Sequence, residues 1–102
     1  MKSRRTKALE IPQKVKYAVW ERDGERCILC GSPHAAPEAH FISRSKGGLG
    51  IEENIVTLCR ECHRRFDQTT DRENIAEFVR AYLAKKYPEW DETKLYYRKG
   101  NA

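Results

Sequence analysis

The sequence predicts a small α+β domain, two short strands flanked by helices, that is stapled by a bound metal. Three observations lead there. The chain is 102 residues long and only 39% hydrophobic, with a mean hydropathy of −0.83, so it holds one core and a thin one. Strand-like and helix-like patterns are both present and both short. Two Cys-x-x-Cys pairs, Cys27-Ile28-Leu29-Cys30 and Cys59-Arg60-Glu61-Cys62, have the form of knuckles that present thiolates to one tetrahedral ion. A structural zinc contributes roughly 10–16 kcal/mol of apparent folding free energy, enough to offset a small core.

Residues 1–10 are basic and carry no periodic apolar pattern, and they read as a flexible arm. A helix is expected from Pro12, which suits a first turn, with Val15, Ala18, Val19 and Trp20 on its apolar side and Asp23-Gly24 as its stop. Pro33 and Pro37 keep the next stretch irregular, and Ala39 to Ile42 read as a short strand. Gly47-Gly48-Leu49-Gly50 is a loop, and Ile55-Val56-Thr57-Leu58 is a second strand of strong β-formers. A helix then starts within the second knuckle and carries His63 and Asp67. Thr70 with Glu73 suggests a capping box opening a last helix, with Ile75, Phe78, Val79, Tyr82 and Leu83 as its apolar stripe and Lys85 and Lys86 near its end. The residue before Pro88 is disfavoured in the helical region, so this helix should stop near Tyr87. The organisation is therefore an arm over 1–10, a domain with its flanking helices over 11–87, and an aromatic and basic tail over 88–102 that includes Trp90, Tyr96, Tyr97, Arg98 and Lys99.

The stretch between the knuckles, residues 31–58, exceeds the roughly 15–20 residues of short zinc ribbons. It is long enough for a strand–loop–strand insertion. Four thiolates close the coordination sphere and leave no place for water, so a zinc held by Cys27, Cys30, Cys59 and Cys62 is structural. Disulfides are the alternative for four cysteines. The charged start Met1-Lys2-Ser3-Arg4-Arg5 has no apolar segment after it of the sort that signals export, and no run nears the roughly 18 apolar residues of a membrane span. The expectation is a cytoplasmic protein with reduced thiols.

Lys and Arg number 20 against 15 Asp and Glu, a net charge of +5, which attracts polyanions, nucleic acid above all. The basic residues cluster in the N-terminal arm, at Arg44-Ser45-Lys46 and at Arg60, Arg64 and Arg65. Zinc binding does not require His40, Asn54 or His63, which stand in that order among the cysteines. Taken singly, a strand histidine is commonly a packing residue and an asparagine before a strand a turn former. His63 and Asp67 are four apart and share one helical face, whereas Cys62 and His63 differ by about 100° and can serve two different sites. His34 fits no pattern and reads as a loop residue.

Glu38-Ala39-His40-Phe41-Ile42-Ser43-Arg44-Ser45-Lys46-Gly47-Gly48 and Glu53-Asn54-Ile55-Val56-Thr57-Leu58-Cys59-Arg60-Glu61-Cys62-His63-Arg64-Arg65-Phe66-Asp67 resemble the two halves of the HNH endonuclease motif. The resemblance implies a ββα-metal fold: a β-hairpin and a helix around one divalent ion. It implies that His40 is the general base, that Asn54 orients the base or touches the metal, and that His63 is a metal ligand with Asp67 beside it. Many members carry Asp or His directly before the base where this chain has Ala39; Glu38 is the substitute on offer. The resemblance further implies DNA as substrate, Mg²⁺, Mn²⁺ or another divalent ion as catalytic cofactor, and phosphate contacts from Arg44, Lys46, Arg64 and Arg65. The whole chain also looks similar to small stand-alone HNH proteins of phages and prophages, which often assist genome packaging beside the terminase; that setting would place it in the host cytoplasm. The competing expectation is a zinc-stabilised DNA-binding module that kept this fold and lost the chemistry.

Overall fold

In the computed structural model, which describes residues 2–98, the two strands β1 (Ala35–His40) and β2 (Ile55–Cys59) form one antiparallel hairpin. Ala35 pairs with Cys59, Ala36 with Leu58, Ala39 with Val56 and His40 with Ile55, with an irregularity between Ala36 and Ala39. That irregularity holds Pro37, which has no N–H for the ladder. β1 therefore begins earlier than Ala39 and ends at His40, short of the expected Ile42. Beyond His40, the Asn54 amide takes over from the ladder. Its Oδ1 accepts the Ile42 N–H (2.7 Å) and its Nδ2 donates to the carbonyls of Ile42 and Leu49.

Every residue of β2 is buried because the hairpin is covered on both sides. Val15 and Val19 of α2 (Gln13–Arg22) meet Ile55 on one side. Val56 and Leu58 pack in a second core with Phe66 of α3 (Arg60–Gln68) and with Ile75, Val79 and Leu83 of α4 (Arg72–Lys86). Pro12 is the N-cap of α2 instead of its first helical residue. On α4 the apolar stripe is narrower than expected: Phe78 is 46% exposed while Ile75, Val79 and Leu83 are buried. The Thr70–Glu73 capping box does not form. α3 and α4 share one tight turn in which the Thr69 hydroxyl accepts the Asp71 N–H and donates to the Arg65 carbonyl, so Asp71 becomes the N-cap. The end of α4 falls at Tyr87, as Pro88 requires.

Within the described residues, segments 4–9 and 90–97 pack onto the domain where an arm and a tail were expected. Residues Arg4–Leu9 form α1, capped by Ser3, whose Oγ accepts the Thr6 N–H, and Leu9 is buried. At the other end Trp90 packs edge-on against Phe41 at 5.7 Å, Leu95 is buried, and residues 95–97 are tied to the glycine loop: the Leu49 N–H donates to the Leu95 carbonyl, the Tyr97 N–H to that of Gly47, and Gly48 bridges Tyr96. Met1 and Lys99 to Ala102 lie outside the described residues. Two glycines permit this closeness: a Cβ on Gly48 would sit 1.6 Å from the Ile42 carbonyl oxygen, and one on Gly50 would sit 1.8 Å from that of Glu10. No other residue fits at either place.

At the junction of these parts Arg22 and Asp23 form a buried pair, with Nε to Oδ1 at 2.7 Å. Arg22 also donates to the carbonyls of Glu52 and Ile55 and to the Tyr87 hydroxyl, and its guanidinium lies over the Tyr82 and Tyr87 rings. Asp23 accepts the Thr57 N–H and the Tyr82 hydroxyl. Removing one member of a buried pair strands the other. Asp23→Ala is expected to cost about 3–5 kcal/mol of stability, read as a fall in urea midpoint with an unchanged m-value. A midpoint equal to wild type would show that the pair is dispensable.

Candidate metal centre and catalytic cleft

The hairpin carries the metal centre at one end. Cys27 and Cys30 lie on the turn after α2, Cys59 ends β2, and Cys62 sits in the first turn of α3, where the Cys59 sulfur also caps the helix by accepting the Cys62 N–H. All four thiols are free, and their sulfurs lie within 4.8 Å of one another, Cys30 and Cys59 at 3.6 Å. A tetrahedron with Zn–S bonds near 2.3 Å has S–S edges of roughly 3.8 Å. The donor set and its spacing fit a structural metal such as zinc. Electrostatics agree. Burial pushes the Cys27 thiol up, yet backbone N–H groups around Cys30, Cys59 and Leu29 outweigh it and hold it at about 7. Cys62 is pushed far up, by burial first and by the neighbouring thiols next. Cys30 also ends above the ordinary thiol value: the Ser32 backbone lowers it, but Cys59 and Cys27 crowd it more. Such a cluster sheds all its protons only when a cation balances the charge.

One helical step from Cys62, the side chain of His63 turns the other way, into an open cleft of about 800 Å³. This cleft is lined by Glu38 and His40 from β1, by His63 and Asp67 from α3, and by the cations Lys16, Arg44, Lys46 and Arg72. Strand alternation puts Glu38 and His40 on this side and sends Ala39, fully buried, into the core. His63 Nε2 and Asp67 Oδ2 stand 3.0 Å apart and both are partly exposed. His40 Nε2 lies 2.9 Å from the Leu9 carbonyl oxygen. A carbonyl only accepts, so in the neutral ring Nε2 carries the proton and Nδ1 keeps its lone pair. Burial, first of all, holds the His40 pKa below the ordinary value; the Leu9 carbonyl opposes this and Arg44 and His63 add to it.

The remaining expected site residues are placed as follows. Asn54 is fully buried and its side chain hydrogen-bonds to the backbone of Ile42 and Leu49, so it positions the chain leaving His40. Glu38 pairs with Lys16 at 3.1 Å. It does not gather with His63 and Asp67: among the described residues the four cysteines alone bring three or more such ligands within 4.8 Å. Arg44 and Lys46 line the cleft, Arg64 lies on the far side of His63 and forks onto Glu61, and Arg65 pairs with Asp71 outside the cleft. Sequence reading missed Leu9, Glu10, Lys16 and Arg72, the first through its carbonyl and the rest as lining residues. Ser3 three residues before Thr6 was a legible cap signal for α1; nothing in the spacing pointed to the other side chains.

A family model described as HNH endonuclease matches residues 27–79, just over half the chain. The chain belongs to the HNH endonuclease family. That membership supports a nuclease-type function and implies a DNA substrate. No curated protein matches the chain. No helix among the described residues is long and apolar enough to cross a membrane.

Purified protein is expected to hold about one zinc per chain, and Cys59→Ser to lose both the metal and the cooperative thermal transition, since the same sulfur is ligand and helix cap. Elemental analysis and a melting curve check this. Metal-free protein that melts where the wild type does would refute it.

Proposed function

We propose that this protein is a metal-dependent endonuclease that hydrolyses DNA phosphodiester bonds. The observation that carries the reading is the convergence of His40, with its tautomer set by Leu9, on the same basic cleft as the His63–Asp67 pair. Arg44, Lys46 and Arg72 draw the phosphate backbone into the cleft without regard to sequence. His40 takes a proton from the attacking water at Nδ1. Its depressed pKa keeps the ring neutral, hence basic, at physiological pH. The water oxygen bonds to phosphorus, the bond to the 3′ oxygen breaks, and that oxygen is protonated from solvent, leaving the 5′-phosphate and 3′-hydroxyl ends that the family implies. His63 and Asp67 supply one nitrogen and one oxygen ligand for a divalent ion such as Mg²⁺ or Mn²⁺, with Glu38 available if Lys16 releases it. When bound, such an ion neutralises charge building on the phosphate and leaving oxygens. Asn54 holds the Ile42–Leu49 chain so that Arg44 and Lys46 face the cleft.

The competing reading, a zinc-stabilised DNA-binding module without catalysis, drew on Ala39. Because Ala39 points into the core, its small side chain leaves the cleft as furnished as before, and DNA binding alone has no use for a neutral, oriented imidazole. Genome processing beside a phage terminase is the biological setting we favour, on the likeness of the whole sequence to stand-alone phage HNH proteins.

Supercoiled plasmid incubated with Mg²⁺ or Mn²⁺ should be nicked or linearised, and chelator should stop the reaction. His40→Ala should lower the rate by roughly 10²–10⁴-fold while zinc content, melting and DNA affinity stay near wild type. His63→Ala should recover part of its lost activity as the divalent ion is raised. Cleavage by His40→Ala at the wild-type rate would remove His40 from the role of base.

At saturating divalent ion the rate should rise with pH as His40 deprotonates and level off. Because its pKa is depressed, the half-maximal pH should fall below the roughly 6.5 of a free imidazole. An acid limb centred above that value would contradict the assignment.

A further inference from the structure

Beyond His63 and Asp67 lies a second cleft of about 550 Å³, lined by His34, Ala35 and Ala36 on one side and Arg60 and Arg64 on the other. It shares Glu38, His63 and Asp67 with the catalytic cleft, so the two are halves of one groove with those residues as the dividing wall. The hairpin register builds it. Ala35 pairs with Cys59, and His34 and Arg60, the next residues outward on the two chains, both line the cleft. Along α3, Arg60, His63, Arg64 and Asp67 follow at positions i, i+3, i+4 and i+7, which is a single face.

The carboxylates of this half are already engaged: Glu38 pairs with Lys16, Glu61 with Arg64, and Asp67 Oδ2 stands 3.0 Å from His63 Nε2. Arg60 is exposed and, among the described residues, makes no ion pair or side-chain hydrogen bond. Ala35 and Ala36 line it with small side chains, which let a chain come close. No Phe, Tyr or Trp lines the cleft, so it offers no ring on which a base could stack.

We propose that this second cleft is the subsite for the phosphodiester next to the scissile one, held mainly by Arg60 with His34 beside it. The proposal rests on the nuclease reading for what occupies the first cleft. A strand entering over Arg44 and Lys46 crosses the wall at His63 and leaves past Arg60, gripped by its backbone on both sides of the cut. His34, a loop residue by sequence, thereby becomes a substrate-positioning residue, and this half of the groove is indifferent to base identity.

The test crosses protein variants with DNA in which single phosphates are neutralised as methylphosphonates. The variants are Arg60→Gln, His34→Ala and, as a control on exposed α4 away from both clefts, Lys85→Gln. Mapping cut positions to the nucleotide fixes the register, and the salt dependence of DNA binding without divalent ions gives a second readout that needs no cleavage. In wild type, neutralising one phosphate adjacent to the cut should slow cleavage roughly ten-fold. In Arg60→Gln the same neutralisation should have no further effect, other positions should act as in wild type, and the salt slope should fall by about one. His34→Ala should blunt the same position, and Lys85→Gln should match wild type throughout. Full sensitivity at every position in Arg60→Gln with an unchanged salt slope would overturn the subsite while leaving the nuclease reading intact. A wild type that cuts nothing with any divalent ion, together with a slope lowered by Arg60→Gln but not by Lys85→Gln, would uphold the phosphate site and sink the nuclease reading instead.

Discussion

The Arg22–Asp23 pair is the contact on which the rest of the molecule depends. The hairpin is only two strands wide, and two strands do not hold themselves in water. Asp23 grips β2 through the Thr57 N–H, and Arg22 grips both ends of the turn that enters it through the Glu52 and Ile55 carbonyls. The two tyrosines of α4 and its end close over the same guanidinium. One ion pair at the end of α2 thus fixes the strand against helices on both of its faces. A buried charge is costly unless each of its hydrogen-bonding groups finds a partner. Here the partners are backbone groups of the elements that must be held, so the electrostatic requirement and the architectural one are the same contacts.

The far end of β2 is held by the thiol cluster, and α3 begins there. Cys62 and His63 are neighbours in sequence and serve opposite faces of the helix, sulfur toward the cluster and imidazole toward the cleft. The thiol cluster therefore sets the origin and rotation of the helix that carries His63 and Asp67 to the cleft. Closed on a metal, a four-thiolate cage would be rigid, and such an anchor one residue away would limit how far His63 can wander from His40.

Much of this was legible in the chain. The cysteine spacing, the β-branched run Ile55–Leu58 and the i, i+4 pairs on α3 are local signals, and each element they predict is present. The motif order of His40, His63 and Asp67 likewise survived folding into one cleft. What escaped sequence reading was decided by contacts distant along the chain. Phe78 has the right spacing for the α4 stripe, but it lies at the stripe's edge and stays 46% exposed. The backbone bonds of the Asn54 amide, which hold the chain leaving His40, could not be read from its sequence neighbours because their partner Ile42 lies a dozen residues upstream. The basic run at the N-terminus conceals a helix whose one apolar anchor, Leu9, has no periodic companions.

The N-terminal segment crosses the glycine loop at Gly50 with no room for a side chain, and there the Leu9 carbonyl meets His40. The motif that defines the family, residues 27–79, therefore does not contain everything that fixes its own histidine. Excised or grafted into another scaffold, that segment would bring its hairpin, thiols and helix along, yet leave the imidazole free to choose either tautomer. The functional unit is larger than the recognisable one. Modularity in so small a protein is a property of the motif's outline, while the setting of its histidine belongs to the chain outside it.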